Sequence, residues 1–133
     1  MASIIRKTRQ FSDINLLFTP HPSTKDITIK TDEDAVKASI RNLISTTNFE
    51  RPFHPEIGCQ IYGLLFENLD PVTLEVMKQT IIDVVEKFEP RAAVLDVLLN
   101  DNLDKNSIEV EIIFRLVNNE RPVSIKTAIS RAR

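Results

Sequence analysis

Two apolar stripes at helical spacing dominate the middle of the chain. Val36, Ile40, Leu43 and Ile44 recur at i, i+4, i+7 and i+8, with Lys37 and Arg41 off the stripe. That spacing predicts a short amphipathic helix ending near residues 45–48. Thr31-Asp-Glu-Asp ahead of it has capping-box form and puts acids in the first turn, where they favour a helix N-terminus. The second stripe is the clearest in the sequence: Leu74, Met77, Ile81, Val84, Val85 and Phe88, with Glu75, Lys78, Asp83, Glu86 and Lys87 largely off it. Asp70 as N-cap and Pro71 at the first helical position open this helix. Pro90 closes it by forcing Glu89 out of helical geometry. Between the two, Ile61, Leu64, Leu65 and Asn68 predict about two further helical turns.

Elsewhere the period is two. Ile14, Leu16 and Phe18 alternate up to Pro20 and Pro22, and Ile27-Thr-Ile-Lys-Thr follows a turn-like stretch, which predicts a hairpin or two edge strands. Residues 92–99 are apolar on both faces except at Asp96, the signature of a central, covered strand. A polar turn over residues 100–106 leads to Ile108, Val110, Ile112, Phe114 and Leu116, one core-facing set on an alternating strand. After a turn at residues 118–122, Val123, Ile125 and Ile129 line the inner face of a last strand, with Ser124, Lys126 and Ser130 outward. The fold class expected is α+β: a mostly antiparallel sheet with about three helices packed on one face, in a single domain over residues 1–133.

One stretch has no period. Arg51-Pro-Phe-His-Pro-Glu-Ile-Gly-Cys joins two helical patterns and contains two of the seven prolines, one of the two glycines and the only cysteine. Pro52 and Pro55 stiffen it, and Gly58 allows a backbone shape closed to other residues. The expectation is a shaped structural loop built from Arg51, Pro52, Phe53, Pro55 and Gly58, with Phe53 or Ile57 pegged into the core.

Composition narrows the function classes. The chain has 133 residues, 42% hydrophobic and 27% charged, which supports a packed core and excludes a disordered chain. There is no apolar run of membrane-spanning length and no signal-peptide pattern at the N-terminus. One cysteine allows no internal disulfide. Against a net charge of −2, a +3 segment over residues 1–10 and a +4 segment over residues 121–133 leave −9 for the stretch between. The basic clusters are small, so solvated ends, or ends docking on an acidic protein, are favoured over nucleic-acid tails.

Candidate chemistry is sparse. Cys59 and His54 lie near each other in sequence, but nothing nearby orients the imidazole, and a buried structural cysteine is the better reading. No pair among His21, His54 and Cys59 has metal-ligand spacing, and two glycines cannot build a phosphate loop. No catalytic residue, metal or cofactor is therefore expected. Glu56, Glu67, Asp70 and Glu89 are available to a two-carboxyl glycosidase, yet nothing singles out a pair. The stretch that resists a bland account is Glu89-Pro90-Arg91. It is a helix stop with a local ion pair, or a rigid acid–guanidinium unit that grips a partner through charge-assisted hydrogen bonds. The residues alone leave both open.

Arg51-Pro-Phe-His-Pro-Glu-Ile-Gly-Cys, then Leu65-Phe-Glu-Asn with Pro71 after it, then Phe88-Glu-Pro-Arg, resemble in this order the baseplate wedge proteins of contractile-tail phages. That family includes the phage W protein and the T-even gene-twenty-five product, with the TssE component of type VI secretion as a relative. The likeness covers about residues 35–118. It implies a structural subunit of the virion's tail baseplate, assembled in the host cytoplasm, with neither nucleic acid nor membrane as a partner. It further implies that Glu89, Pro90 and Arg91 bind a helical core bundle of other wedge subunits. The edge strand with Val123, Ile125, Lys126 and Ile129 would pair with the tail sheath protein and help start sheath assembly. Tube-proximal baseplate proteins are further candidate partners. The family is also labelled lysozyme-like in places, which keeps a tail-associated muralytic enzyme as the alternative.

Overall fold

The computed structural model describes residues 10–102 and 107–130. Arg6, Lys7 and Arg9, Arg131 and Arg133, and part of the turn at 100–106 lie outside the described residues. Eight elements follow in chain order: β1 (Ser12–Ile14), β2 (Ile29–Thr31), α1 (Asp32–Ser45), α2 (Ile61–Leu64), α3 (Pro71–Phe88), β3 (Ala92–Asn102), β4 (Ser107–Leu116) and β5 (Pro122–Ser130). Strands β1 and β2 pair antiparallel with Ile14 opposite Ile29. The larger sheet has the order β3-β4-β5 and is antiparallel throughout.

Period-two alternation drives the larger sheet. Ile108, Val110, Ile112, Phe114 and Leu116 of β4 are buried, as are Val123, Ile125 and Ile129 of β5. Onto that face the helices bring Val36, Ile40 and Ile44 of α1 and Met77, Ile81 and Val85 of α3, forming one continuous core. The long helix starts as expected: the Asp70 carboxylate accepts from the Thr73 N–H at 2.7 Å, with Pro71 in the first turn. Its bond to Thr73 holds the Asp70 pKa below the ordinary carboxylate value.

Several sequence expectations are corrected. β3 is an edge strand, not a central one, and β4 is central; a bulge between Val94 and Asp96 leaves Leu95 and Leu98 exposed. Its doubly apolar pattern reflects the helix on one side and unburied leucines on the other. The N-terminal alternation forms only three-residue strands, and Leu16 and Phe18 are exposed. Thr31 makes no side-chain cap to α1. Asp32 instead turns back, its carboxylate accepting from the N–H groups of Gln10 and Phe11 at 2.9 and 3.2 Å. The α2 helix is a single turn.

Candidate partner-binding site

The end of α3 turns into the start of β3 through Glu89-Pro90-Arg91. Glu89 N–H still donates to the Val85 carbonyl at 2.8 Å, and its ψ of 76° takes the backbone out of the helix, as a residue before proline must go. Arg91 then begins the strand side, its carbonyl accepting from Val117 N–H at 3.0 Å.

Here a guanidinium is shared between two carboxylates. Arg91 Nε donates to Glu89 Oε1 at 2.6 Å and Nη2 to Glu89 Oε2 at 2.9 Å. Nη1 and Nη2 donate to the two oxygens of Asp13 at 3.1 Å each. Both contacts are bidentate, the geometry that suits arginine and not lysine. The Phe11 ring lies 5.6 Å from the guanidinium carbon. Glu89 is 2% exposed, a buried carboxylate that needs such pairing. Burial pushes its pKa up more than any other single influence, yet hydrogen bonds from Arg91 and Ser39 and the Arg91 charge together hold it below the ordinary value. Arg91 is raised, first by Glu89 and then by Asp13.

The clasp therefore has a third member that sequence reading missed. Asp13 is 78 residues from Arg91, and only its polar place in β1 could have hinted at a role. Pro90 is exposed beside the clasp. The local ion pair is present, and it extends to Asp13 of the β1–β2 hairpin.

The central loop is shaped by its backbone. Cys59 N–H donates to the Thr46 carbonyl at 2.8 Å and Phe49 N–H to that of Pro55 at 2.9 Å. Glu50 folds back to accept from Thr47 N–H at 2.9 Å. Gly58 has φ +144°, and a Cβ there would lie 2.7 Å from the Thr47 carbonyl carbon and 2.8 Å from the Thr46 oxygen. Only glycine fits. Arg51, Pro52 and Pro55 are exposed. The expected peg is corrected: Phe53 is 96% exposed at φ +69°, and Ile57 is only half-buried. Cys59, fully buried, anchors the loop from behind. Burial pushes its thiol pKa up to about 11, so it stays protonated at neutral pH and is a poor nucleophile.

At the opposite margin, β5 pairs with β4 along one side, and no strand among the described residues pairs with its other side. Val123, Ile125 and Ile129 are buried, so the strand offers backbone and the outward Ser124 and Lys126. Lys126 Nζ lies 3.4 Å from Glu111 Oε2. The clasp member Asp13 and the loop residue Arg51 line one recess, whereas β5 is at the opposite edge of the sheet from β3. No group of three metal-ligating side chains occurs among the described residues, and no helix there is long and apolar enough to cross a membrane.

The family model for baseplate wedge protein gp25 matches residues 30–121. The baseplate wedge protein gp25 of Enterobacteria phage T4 is 34% identical over 95 residues, 71% of this chain and 72% of that protein. Among solved structures, a Geobacter sulfurreducens protein provisionally described as a tail lysozyme superposes with a TM-score of 0.74 at 20% identity, covering 80% of this chain and 96% of its own. A chain of the anti-feeding prophage baseplate gives 0.64 at 20% identity, covering 92% and 87%. A chain of the postcontracted pyocin R2 baseplate gives 0.58 at 11% identity, covering 92% and 100%. At these identities the structural likenesses speak for the fold alone.

Proposed function

The chain belongs to the family of baseplate wedge protein gp25, and we infer from that membership that it is a structural subunit of the baseplate in a contractile phage tail or a phage-like relative. The observation that carries the reading is the match across residues 30–121, which includes the Glu89–Arg91 joint. Its place is the virion tail, after assembly in the host cytoplasm.

Within that role, Glu89, Pro90 and Arg91 contact a helical core bundle formed by other wedge subunits. What supports this is a preorganised guanidinium with one of its five N–H donors left over from the four hydrogen bonds to Asp13 and Glu89. An exposed proline ring stands beside it. The β5 edge pairs with a strand of the tail sheath, a use for backbone groups left free on one side. Tube-proximal baseplate proteins are further partners.

Because Arg91 also seats the hairpin, two variants are needed to test its contact. Asp13→Asn loosens the hairpin but spares Arg91, whereas Arg91→Ala removes both functions. Reconstituted wedges that form with Asp13→Asn and fail with Arg91→Ala support a direct contact. Equal failure of both would assign Arg91 to the hairpin alone. For the edge, Lys126→Pro removes a backbone donor. Baseplates carrying it should form but not launch sheath, and normal sheath growth would contradict the pairing.

The muralytic reading rests on the lysozyme description of a fold neighbour. A glycosidase acid needs a raised pKa beside a cleft. Each described carboxyl with a displaced pKa, namely Glu50, Glu56, Asp70, Glu89 and Asp96, is displaced downward. Purified protein should leave peptidoglycan intact, and cleavage would reinstate the enzyme.

A further inference from the structure

A groove of about 740 Å³ runs between the β1–β2 hairpin, α1 and the central loop. Its lining is aliphatic at Ile14, Leu16 and Leu17 on the hairpin side and at Leu43 and Ile57 opposite. The three hairpin residues are 61%, 60% and 77% exposed, an apolar wall with no cover among the described residues. Lys30, Arg41 and Arg51 line the same groove, one from each of its three walls. None of the three makes an ion pair among the described residues, where the lysines and arginines that do so have a carboxylate within 3.4 Å. The acid lining the groove is Asp13, and its two oxygens are already bound by Arg91. Three cations and one already engaged acid around apolar residues give this recess a positive balance on a chain whose net charge is −2.

We propose that this groove is the docking site of an acidic amphipathic segment from a partner protein. Its apolar residues sit on Ile14, Leu16 and Leu17, and its carboxylates meet Lys30, Arg41 and Arg51. Charge complementarity identifies the partner: an acidic segment gains from all three cations, a neutral apolar one gains from none of them, and a basic one would be repelled. A nucleic acid fits poorly, because an aliphatic lining offers no platform for base stacking. A membrane surface fits poorly, because it is met by a protruding apolar face and not by a recess. The proposal rests on the assembly reading only for its expectation that the partner is a protein. Its cations are separate from Glu89, Pro90 and Arg91.

The test uses a fluorescein-labelled helical peptide of about 18 residues, with leucines at i, i+3, i+4 and i+7 and glutamates flanking them. Two controls are the same peptide with lysine for glutamate and an acidic scramble without the stripe. Fluorescence anisotropy should show saturable binding of the acidic striped peptide alone, weakening as salt rises because exposed charge pairs are screened. The double variant Arg41→Glu/Arg51→Glu should weaken it at least about tenfold, and Leu17→Asp comparably, with thermal melts confirming that these exposed substitutions leave the fold intact. The milder Arg41→Gln/Arg51→Gln pair should weaken it less, in the same direction. Absence of binding, equal binding of any control peptide, or indifference to the double variant would overturn the proposal. Self-association dissolved by Leu17→Asp would give the groove to a second copy, and competition by anionic vesicles or single-stranded DNA would give it to those. All variants keep Arg91, so failure here leaves the wedge reconstitution with Arg91→Ala as a separate test of the assembly role.

Discussion

Strands β4 and β5 and strands β1 and β2 both form antiparallel pairs, but different forces hold them to the molecule. In the first pair every second residue is buried from Ile108 to Leu116 in β4, as are Val123, Ile125 and Ile129 in β5. Apolar area removed from water holds it, and the helices lock on top. The second pair is three residues long, and its facing Ile14 and Ile29 are 61% and 63% exposed. It is attached by polar contacts: Asp32 to the N–H groups of Gln10 and Phe11, and Arg91 to Asp13. The lesson is that stability is unevenly distributed. The part that carries the bare apolar surface and borders the cationic groove is the part held by charge.

The largest expected effect breaks the apolar side. Phe114 is fully buried at the centre of the sheet, so Phe114→Ala should cost about 3–5 kcal/mol, seen as a large fall in the thermal midpoint of the whole domain. Next comes the clasp. Arg91→Ala strands the buried Glu89 and should cost roughly 1.5–3 kcal/mol in denaturant titrations, the range for hydrogen bonds to charged groups. The clasp also carries a pH signature. Glu89 has a folded-state pKa below its ordinary 4.5, so its contribution is present above about pH 4.5 and is lost as pH falls through the folded value. Glu89→Gln should remove that part of the acid dependence, which pH-resolved melts can measure.

Smaller effects sharpen the comparison at the central loop. Gly58→Ala puts a Cβ against the Thr46–Thr47 backbone and should cost more than about 1 kcal/mol. At the loop's tip, Phe53→Ala should change stability by less than about 0.5 kcal/mol, because the ring touches little. A clear loss in its melting temperature would mean that the ring is buried after all.

What could be read from sequence was local. Asp70, Pro71 and Pro90 bound α3 by their own backbone chemistry, and the alternation of β4 and β5 survives intact because each strand has one wet face. Gly58 was legible because its conformation is a property of the residue. Beyond the missing Thr31 cap and the single turn of α2, the failures were nonlocal. Strand order decides that the apolar run of β3 lies at an edge, and no periodicity encodes it. Phe53 looks like a core residue by type, but backbone hydrogen bonds and Cys59 already hold the loop, leaving the ring outside. Arg91 could be seen to have Glu89 beside it, whereas Asp13 comes from the far end of the chain. The family model matches from residue 30, after β1, so Asp13 lies outside the matched stretch.

The central claim is that Arg91 fastens the charge-held hairpin to an independently stable core. Hydrogen exchange on the wild type, Arg91→Lys and Asp13→Asn tests it most directly. The N–H groups of Asn15 and Thr28, which bond to the carbonyls of Thr28 and Thr19, report on the hairpin, and those of β4 report on the core. Lysine cannot reproduce the double fork, so both variants should speed exchange in the hairpin by about tenfold or more while β4 keeps its protection. Unchanged exchange in the hairpin, or an equal loss across hairpin and sheet, would contradict the claim.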